Sequence, residues 1–304
     1  MLSEVLFPDT PVLIQGITGR TGRRHASLMR AYGTRVVGGV SPSRAEAGTG
    51  DVEDGIPIFA TCREAVRRTG AVASLQMVPP LNAMAAVEEA LDAGVRLIVT
   101  TAEGMPAHDA LKAARMVRGR GATWIGPSSP GVAIPGRMKI GFLPDVSLTP
   151  GPLGVMSKSG TLSYELCHRL GRRGIGQSAW VGVGGDAVKG TRFADLVPFF
   201  QADASTKALL VIGEIGGDEE EGLADALARH AFPKPVFVLL AGSTAPEGVT
   251  MGHAGAMVYG SKGSVRSKTE ALGAVGARVF VTMRELVEGV AREFDRPPPS
   301  SRTC

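Results

Sequence analysis

The chain has 304 residues, of which 44% are apolar and 20% are charged, and its formal net charge is only +4. That length gives room for two domains of ordinary size, and that composition is typical of a folded α/β protein rather than a disordered one. The small charge, the scattered arginines and an aromatic content of 5% argue against nucleic acid as a partner, because base stacking needs aromatic side chains.

The three cysteines Cys62, Cys167 and Cys304 are far apart and have no metal-ligand spacing, so we expect a reducing compartment and no metal site. The N-terminus lacks the apolar run of a signal peptide, and no stretch of eighteen apolar residues is present to cross a membrane. These features predict a cytoplasmic protein without membrane contact, or one of the mitochondrial matrix if a transit peptide has been removed.

The first half of the chain begins with a strand, a glycine turn and a helix. An apolar run at residues 11–15 leads into Gly-Ile-Thr-Gly-Arg-Thr-Gly at residues 16–22, and a helix-compatible segment continues to about Tyr32. Such a turn lets a phosphate approach the backbone and the free N–H groups of a helix N-terminus. A nicotinamide dinucleotide site would place a carboxylate just after the second strand, which is predicted at residues 35–40. The charged residue that follows this strand is Arg44, a cation. An NAD-dependent oxidoreductase is therefore disfavoured, and we expect a ligand with a further phosphate.

The rest of the first half alternates strands and helices. We predict strands at residues 56–59, 71–78, 95–100 and 122–125, and helices that begin near residues 61, 82 and 106. Apolar strands bounded by glycine and proline, with amphipathic helices between them, indicate a parallel sheet covered on both faces. Such a doubly wound domain binds its ligand at the carboxyl ends of its strands, where residues 101–104 and 126–131 form polar, glycine-rich loops.

A proline-dense segment at residues 143–152 separates this half from a second α/β domain. We place the boundary near residue 147, which gives domains over residues 1–146 and 147–296 and a disordered tail over residues 297–304. In the second domain the predicted elements are strands at residues 153–156, 179–183, 208–212 and 235–240 and a capped helix at residues 282–294.

Glycine-rich loops follow three strands of the second domain, at residues 157–161, 184–186 and 213–217. The first of these opens a helix whose N–H groups and hydroxyls are suited to a phosphoryl group. In the third, Glu214 ends a buried strand, where a carboxylate accepts a ring N–H from a histidine and makes its other nitrogen a better nucleophile. His253 stands between two glycines, which leave space for an incoming group.

Together these motifs resemble the α subunits of succinyl-CoA synthetase and of their relatives, the malate–CoA ligases and citryl-CoA synthetases. The likeness runs from about residue 11 to about residue 294. It rests on six motifs in this order: Gln15-Gly16-Ile17-Thr18-Gly19, Tyr32-Gly33-Thr34, Val37-Gly38-Gly39-Val40, Ser157-Lys158-Ser159-Gly160-Thr161-Leu162, Ile212-Gly213-Glu214-Ile215-Gly216-Gly217 and Met251-Gly252-His253-Ala254-Gly255-Ala256. The resemblance implies an N-terminal Rossmann-like CoA-binding domain followed by a flavodoxin-like doubly wound ligase domain.

The resemblance also implies an NDP-forming acid–CoA ligase that is active only with a β subunit, in an αβ or α2β2 complex. An ATP-grasp domain of that partner would hold the NTP and Mg²⁺. The histidine would take the phosphoryl group, the acid would accept it as an acyl phosphate, and CoA would displace phosphate. Succinate or a related small dicarboxylate is the implied acid. Malate–CoA or citryl-CoA ligation stays open, as does a CoA-binding regulatory protein that has lost the chemistry.

By motif, the resemblance implies that His253 is the phosphohistidine, that Glu214 is its supporting carboxylate and that Tyr164 lies near the substrate. The implied phosphate-binding residues are Ser159, Gly160 and Thr161. The implied CoA-binding residues are Thr18, Gly19, Arg20, Thr21, Arg44, Thr101, Ala102 and Glu103.

The sequence departs from the family pattern in three places. The family usually has lysine where Arg44 stands, within a glycine-rich loop that residues 43–49 replace, and it usually has an Asn-Cys pair where Ser128 and Ser129 stand. Basic residues that usually precede the histidine motif are replaced by Glu247, Val249 and Thr250. These departures bear on the contacts with CoA and on the choice of acid.

Overall fold

The structure is a computed structural model of the chain, and it describes residues 2–42, 52–53, 55–242, 253, 255–256 and 263–295. These residues form two seven-stranded sheets with helices packed against them, so the predicted α/β class is confirmed. Arg44 and the predicted tail, residues 297–304, lie outside the described residues. Among the helices described, none has the length and apolar character needed to span a bilayer.

The first sheet has the strand order of a Rossmann domain. Its strands are β1 Val12–Gln15, β2 Val36–Val40, β3 Val52–Glu53, β4 Ile56–Phe59, β5 Ala73–Gln76, β6 Leu97–Thr100 and β7 Thr123–Ile125. They lie in the order β3-β4-β2-β1-β5-β6-β7, and every pairing is parallel except that of β3 with β4. Without β3, this is the doubly wound order in which the ligand crevice opens beside the central first strand.

The helices that accompany this sheet are α1 Arg20–Tyr32, α2 Cys62–Thr69, α3 Ala83–Asp92 and α4 Ala107–Gly119. The predicted helix starts are confirmed within two residues. At α2 the Thr61 side chain accepts the Glu64 N–H at 3.2 Å, as its capping pattern predicts. Gly33 ends α1 with a φ of 108°, a left-handed conformation that favours glycine.

The second sheet combines a flavodoxin-like parallel core with an antiparallel hairpin. Its strands are β8 Gly131–Ile134, β9 Met138–Gly141, β10 Pro150–Ser157, β11 Gln177–Gly182, β12 Ala208–Glu214, β13 Val236–Ala241 and β14 Arg278–Phe280. They lie in the order β14-β13-β12-β10-β11-β8-β9. Strands β10 to β14 are parallel in the flavodoxin order, which confirms the implied fold, whereas β8 pairs antiparallel with both β11 and β9.

The hairpin β8–β9 precedes residue 147 yet belongs to the second sheet. Sheet membership therefore changes between Ile125 and Gly131, while the domain boundary near residue 147 stays a prediction. The helices of this half are α5 Gly160–Gly171, α6 Phe193–Ala202, α7 Glu219–Arg229, α8 Val265–Ala274 and α9 Met283–Phe294. Thr282 caps α9 by accepting the Glu285 N–H at 3.3 Å, as predicted.

Candidate functional site

Glu214 is the last residue of β12, at the carboxyl edge of the second sheet, and its carboxylate meets His253. The two side chains are joined by a 2.6 Å hydrogen bond between Oε2 of Glu214 and Nδ1 of His253. Because an ionised carboxylate only accepts hydrogen bonds, Nδ1 carries the proton. The Glu214 side chain is 12% exposed and that of His253 is 35% exposed, so the ring is open on one side and supported on the other.

The environment of His253 raises the pKa of its imidazole above the ordinary value. The hydrogen bond to Glu214 makes the largest contribution, burial opposes it, and the negative charge of Glu214 adds to the increase. The charges of Lys189 and Lys158 lower the pKa but do not reverse the shift. The carboxylate therefore stabilises positive charge on the ring and fixes the neutral tautomer in which Nε2 keeps a free lone pair.

Gly185, in the loop after β11, packs directly against the histidine ring. A Cβ at this position would lie 2.4 Å from Cγ of His253, so glycine is required for the ring to occupy its place. The backbone of the same residue accepts the Gly255 N–H at 3.2 Å, which ties the histidine segment to this loop. The sequence indicated residues 184–186 as a glycine-rich loop but gave no sign that it touches His253.

The helix start predicted to bind phosphate lies beside the strand that ends in Glu214. Strands β10 and β12 are neighbours, and the Lys158 N–H donates to the Ile212 carbonyl at 3.0 Å. The Ser159 hydroxyl caps α5 by accepting the Leu162 N–H at 3.3 Å. First-turn N–H groups have no acceptor within a helix, so Gly160 and Thr161 supply the backbone donors of this end.

Tyr164 lies one turn into α5 and is partly buried against Trp180, with ring centroids 6.1 Å apart. Burial raises the pKa of its phenol to about 12, so the hydroxyl stays protonated at neutral pH and is able to donate a hydrogen bond. A Cβ at Gly160 would lie 3.1 Å from that hydroxyl, which places the phenol next to the helix start.

The turn at residues 16–22 holds α1 close to the end of β1. A Cβ at Gly22 would lie 2.3 Å from the Gly16 carbonyl oxygen, and α1 begins at Arg20 without a side-chain cap. An open hollow beside this helix start is lined by Thr18, Arg20, Arg23, Arg24 and Ser27. A helix N-terminus flanked by three arginines is chemically suited to phosphate groups. The sequence did not indicate that Arg23, Arg24 and Ser27 lie beside this helix start, although their spacing from Arg20 is helical.

The loop after β6 extends the first sheet towards the histidine. Thr101 is buried and its hydroxyl donates to the Gln76 carbonyl at 3.1 Å, while the Ala102 carbonyl accepts the Ser128 N–H at 3.0 Å. Glu103 follows at the surface of a cavity of about 560 Å³. The other lining residues of this cavity are Gly104, Met105, Ala107, Ala110, Ser128, Asp186, Ala187, Val188 and His253.

Strand-end loops of both sheets line this one cavity, because Glu103 and Ser128 follow strands of the first sheet and Asp186 follows a strand of the second. Ser128 stands where the family usually has asparagine, and its hydroxyl donates to the Asp186 carboxylate at 2.9 Å across the two loops. Of the predicted site residues, Glu103 and His253 line this cavity, whereas Thr18 and Arg20 lie at the separate hollow beside α1.

Beneath Glu214 lies a buried cluster of charges that the sequence did not indicate. It consists of Lys158, Lys189, Lys268, Glu219 and Glu220, each at most 9% exposed. The two glutamates fall in an acidic run at the start of α7, a pattern typical of a solvated helix N-terminus. The partners of such a run are distant in sequence, so the local pattern gave no signal for the cluster.

Two family models match the chain in the predicted order. The model described as CoA binding domain matches residues 7–104, and the model described as CoA-ligase matches residues 156–278. The solved structure of ATP citrate lyase from Methanothrix soehngenii, in complex with citrate and coenzyme A, is similar with a TM-score of 0.83 at 23% identity. That match covers 97% of this chain and 53% of the lyase chain, so this chain spans about half of the lyase, and the likeness shows the fold.

Two curated relatives match along almost their whole length. The chain is 46% identical over 287 residues to the succinate–CoA ligase [ADP-forming] subunit alpha 1 of Archaeoglobus fulgidus, covering 94% of this chain and 97% of that relative. It is 45% identical over 287 residues to the corresponding alpha subunit of Aquifex aeolicus, covering 93% and 92%. The chain therefore belongs to the family of succinate–CoA ligase α subunits.

Proposed function

We propose that this chain is the α subunit of an ADP-forming succinate–CoA ligase and that Nε2 of His253 carries the phosphoryl group between substrates. The observation that carries the proposal is the 2.6 Å contact of Nδ1 with Glu214, at a cavity shared by the two sheets. This contact fixes the tautomer in which Nε2 has its lone pair available. Retention of this pair argues against a regulatory protein that has lost the chemistry.

In the proposed reaction, Nε2 attacks the γ-phosphorus of ATP and the bond to the bridging oxygen of ADP breaks. Glu214 stabilises the positive charge that develops on the ring, and the N–H groups of Gly160 and Thr161 face the phosphoryl oxygens. A succinate carboxylate oxygen then attacks the phosphorus, which restores neutral His253 and forms succinyl phosphate. The thiol of CoA finally attacks the acyl carbon, the thiol proton is lost, and phosphate leaves.

CoA in this proposal has its phosphates at the α1 start and its thiol towards the shared cavity. Arg20 and Thr18 fit the phosphate end, and Glu103 stands at the cavity where the thiol end would arrive. ATP and Mg²⁺ belong to an ATP-grasp domain of a β subunit in an αβ or α2β2 complex. The curated relatives are named as alpha subunits, which supports the need for such a partner.

The test is phosphorylation of the reconstituted αβ complex by ATP and Mg²⁺, followed by mass spectrometry under conditions that preserve phosphohistidine. We expect one phosphoryl group on His253, none on the His253→Asn variant, and calorimetric CoA binding unchanged within about twofold. Phosphate on a serine, or phosphorylation that persists in His253→Asn, would contradict the proposal. A panel of succinate, malate, citrate and acetate then identifies the acid, and activity confined to acetate would exclude a dicarboxylate ligase.

A further inference from the structure

Glu220 is a fully buried carboxylate that contacts neither the cavity nor the histidine. It lies in the first turn of α7 with 0% exposure, and its two oxygens reach the end of β12, Lys268 in α8 and Lys158 before α5. The Glu220 carboxylate can approach β12 this closely only because residue 213 is glycine, since a Cβ at Gly213 would lie 2.5 Å from Oε1 of Glu220. A buried charge without a function costs stability, so its contacts need an explanation.

The first set of contacts holds the backbone of Glu214 on both sides. Oε1 of Glu220 accepts the Glu214 N–H at 3.1 Å. Nζ of Lys268, which is itself fully buried in α8, donates to the Glu214 carbonyl at 2.7 Å and to the Gly216 carbonyl at 2.6 Å. The same ammonium group is paired with Oε2 of Glu220. The pair therefore fixes the residue whose side chain orients His253.

The second set of contacts ties the same carboxylate to the start of α5. Nζ of Lys158 lies 2.9 Å from Oε1 of Glu220, and Lys158 immediately precedes the turn formed by Ser159, Gly160 and Thr161. Burial opposes ionisation of Glu220, but the charges of Lys158 and Lys268 outweigh it and hold the pKa of its carboxyl below the ordinary value. The ionised carboxylate is thus the common point between the strand end and the helix end.

We propose that Glu220 is a positioning residue that fixes the carboxylate of Glu214 and the N-terminus of α5 relative to each other. The inference rests on the proposed function, in which Nε2 of His253 and the N–H donors of α5 must contact the same phosphoryl group. That requirement explains why the distance between the Glu214–His253 pair and the start of α5 must be fixed. A misplacement of about 1 Å in such an arrangement lowers a rate by up to roughly a hundredfold.

The test uses Glu220→Gln and Lys268→Met. In the full chain with isotope-labelled histidine, NMR titration reports the pKa of His253, whose signal is assigned with His253→Asn. We expect that pKa to fall towards the ordinary value in both variants, because Glu214 is no longer held against the ring. In the αβ complex we expect phosphohistidine formation to slow by roughly 10-fold to 100-fold, with CoA affinity unchanged.

The matched control is Lys139→Met, which removes another buried lysine outside this cluster. Nζ of Lys139 donates to the Leu143 carbonyl at 3.0 Å and pairs with Asp145. This variant should lose thermal stability but keep the pKa of His253 and the phosphorylation rate. Gly213→Ala keeps every charge but displaces the Glu220 carboxylate. If the charge variants do not fold, the pKa of His253 and the phosphorylation rate are measured in this variant instead.

Folded variants with an unchanged His253 pKa and an unchanged phosphorylation rate would overturn the positioning role. The same conclusion would follow if Lys139→Met slowed phosphorylation as much as Lys268→Met, since the effect would then reflect stability alone. The titration requires no nucleotide, so its result stands even if the phosphoryl group is found on another residue. A phosphoryl group on another residue would contradict the proposed function, but the effect of Glu220 on the pKa of His253 would still be measured by the titration.

Discussion

In the proposed reaction, the proton on His253 controls whether the residue acts as a nucleophile. The Glu214 contact raises the pKa of the imidazole, chiefly through the hydrogen bond at Nδ1. A phosphoryl acceptor needs the neutral ring, in which the lone pair of Nε2 is available. Glu214 therefore has two opposing effects: it stabilises charge as the N–P bond forms, and it raises the pH at which the free ring becomes neutral.

This opposition predicts the pH dependence of phosphorylation. The rate should rise with pH through the raised pKa of His253 and level off above it. In Glu214→Gln the midpoint should move to lower pH, because the charge that raised the pKa is gone, while the plateau rate should fall by roughly tenfold or more. Initial rates of phosphohistidine formation from about pH 5.5 to 9 measure both effects. A variant midpoint at or above that of the unmodified protein would contradict this role of Glu214.

The family resemblance implied that Glu214 supports His253, and the structure brings the two side chains together. Local patterns marked each residue separately as a candidate, one at the end of an apolar strand and one between glycines, but only the resemblance paired them. Glu220 and Lys268 have no such pattern, because a mid-helix lysine and an acidic helix start are usually solvated. Their pairing spans 48 positions and depends on how α7 and α8 pack, which no local pattern contains.

At the scale of elements, the close approach of α1 to β1 decides how the helix end meets a phosphate. Gly22→Ala should push the two apart, because its Cβ would lie 2.3 Å from the Gly16 oxygen. We expect a loss of about 1–3 kcal/mol of stability and a loss of CoA affinity of roughly tenfold or more. Denaturant unfolding and calorimetry with CoA measure these changes.

The matched control for this substitution is Gly119→Ala at the last residue of α4. A Cβ there would meet no atom of the described residues within 4 Å, so the stability of this variant should change by less than about 1 kcal/mol and its CoA affinity should stay the same. Equal CoA affinity in the two variants would show that the approach of α1 to β1 has no part in binding.

Elements with local signals were predicted well, and elements defined by distant partners were not. Thr61 and Thr282 start helices because each side chain accepts an N–H three residues on, an interaction contained in four residues. The hairpin β8–β9 has two four-residue strands, and its place in the fold is set by antiparallel pairing of Ala133 with Trp180. That pairing joins residues 47 positions apart, so the local sequence did not predict strands at residues 131–141.

At the scale of the whole molecule, the carboxyl ends of two separate sheets face one cavity. The sequence predicts a ligand at the strand ends of each doubly wound domain, since those ends are where such sheets bind. It does not predict that the loop containing Glu103 and the loop containing Asp186 line the same space, because this depends on how the two halves pack. In the proposed function, a group bound at one sheet reacts through this cavity with a group bound at the other without leaving the protein.

The shared cavity predicts that phosphorylation of His253 and formation of succinyl-CoA are separable by a substitution on the part of the cavity lining that the first domain supplies. Ala107 is exposed at the start of α4 and lines the cavity from the first domain. Ala107→Trp should fill the space that the thiol end of CoA needs, so succinyl-CoA formation should fall by roughly tenfold or more. Phosphorylation of His253 by ATP should continue at its normal rate, because that step needs the ring and the start of α5.

The two steps are measured separately, by phosphohistidine formation without CoA and by succinyl-CoA formation with all substrates. Ala202→Trp, at the exposed last residue of α6 and away from the cavity lining, is the matched control and should leave both rates unchanged. Equal losses of both steps in Ala107→Trp would mean that the tryptophan disturbs the histidine itself. No loss in either step would mean that CoA reaches the phosphorylated site by a route that does not pass Ala107.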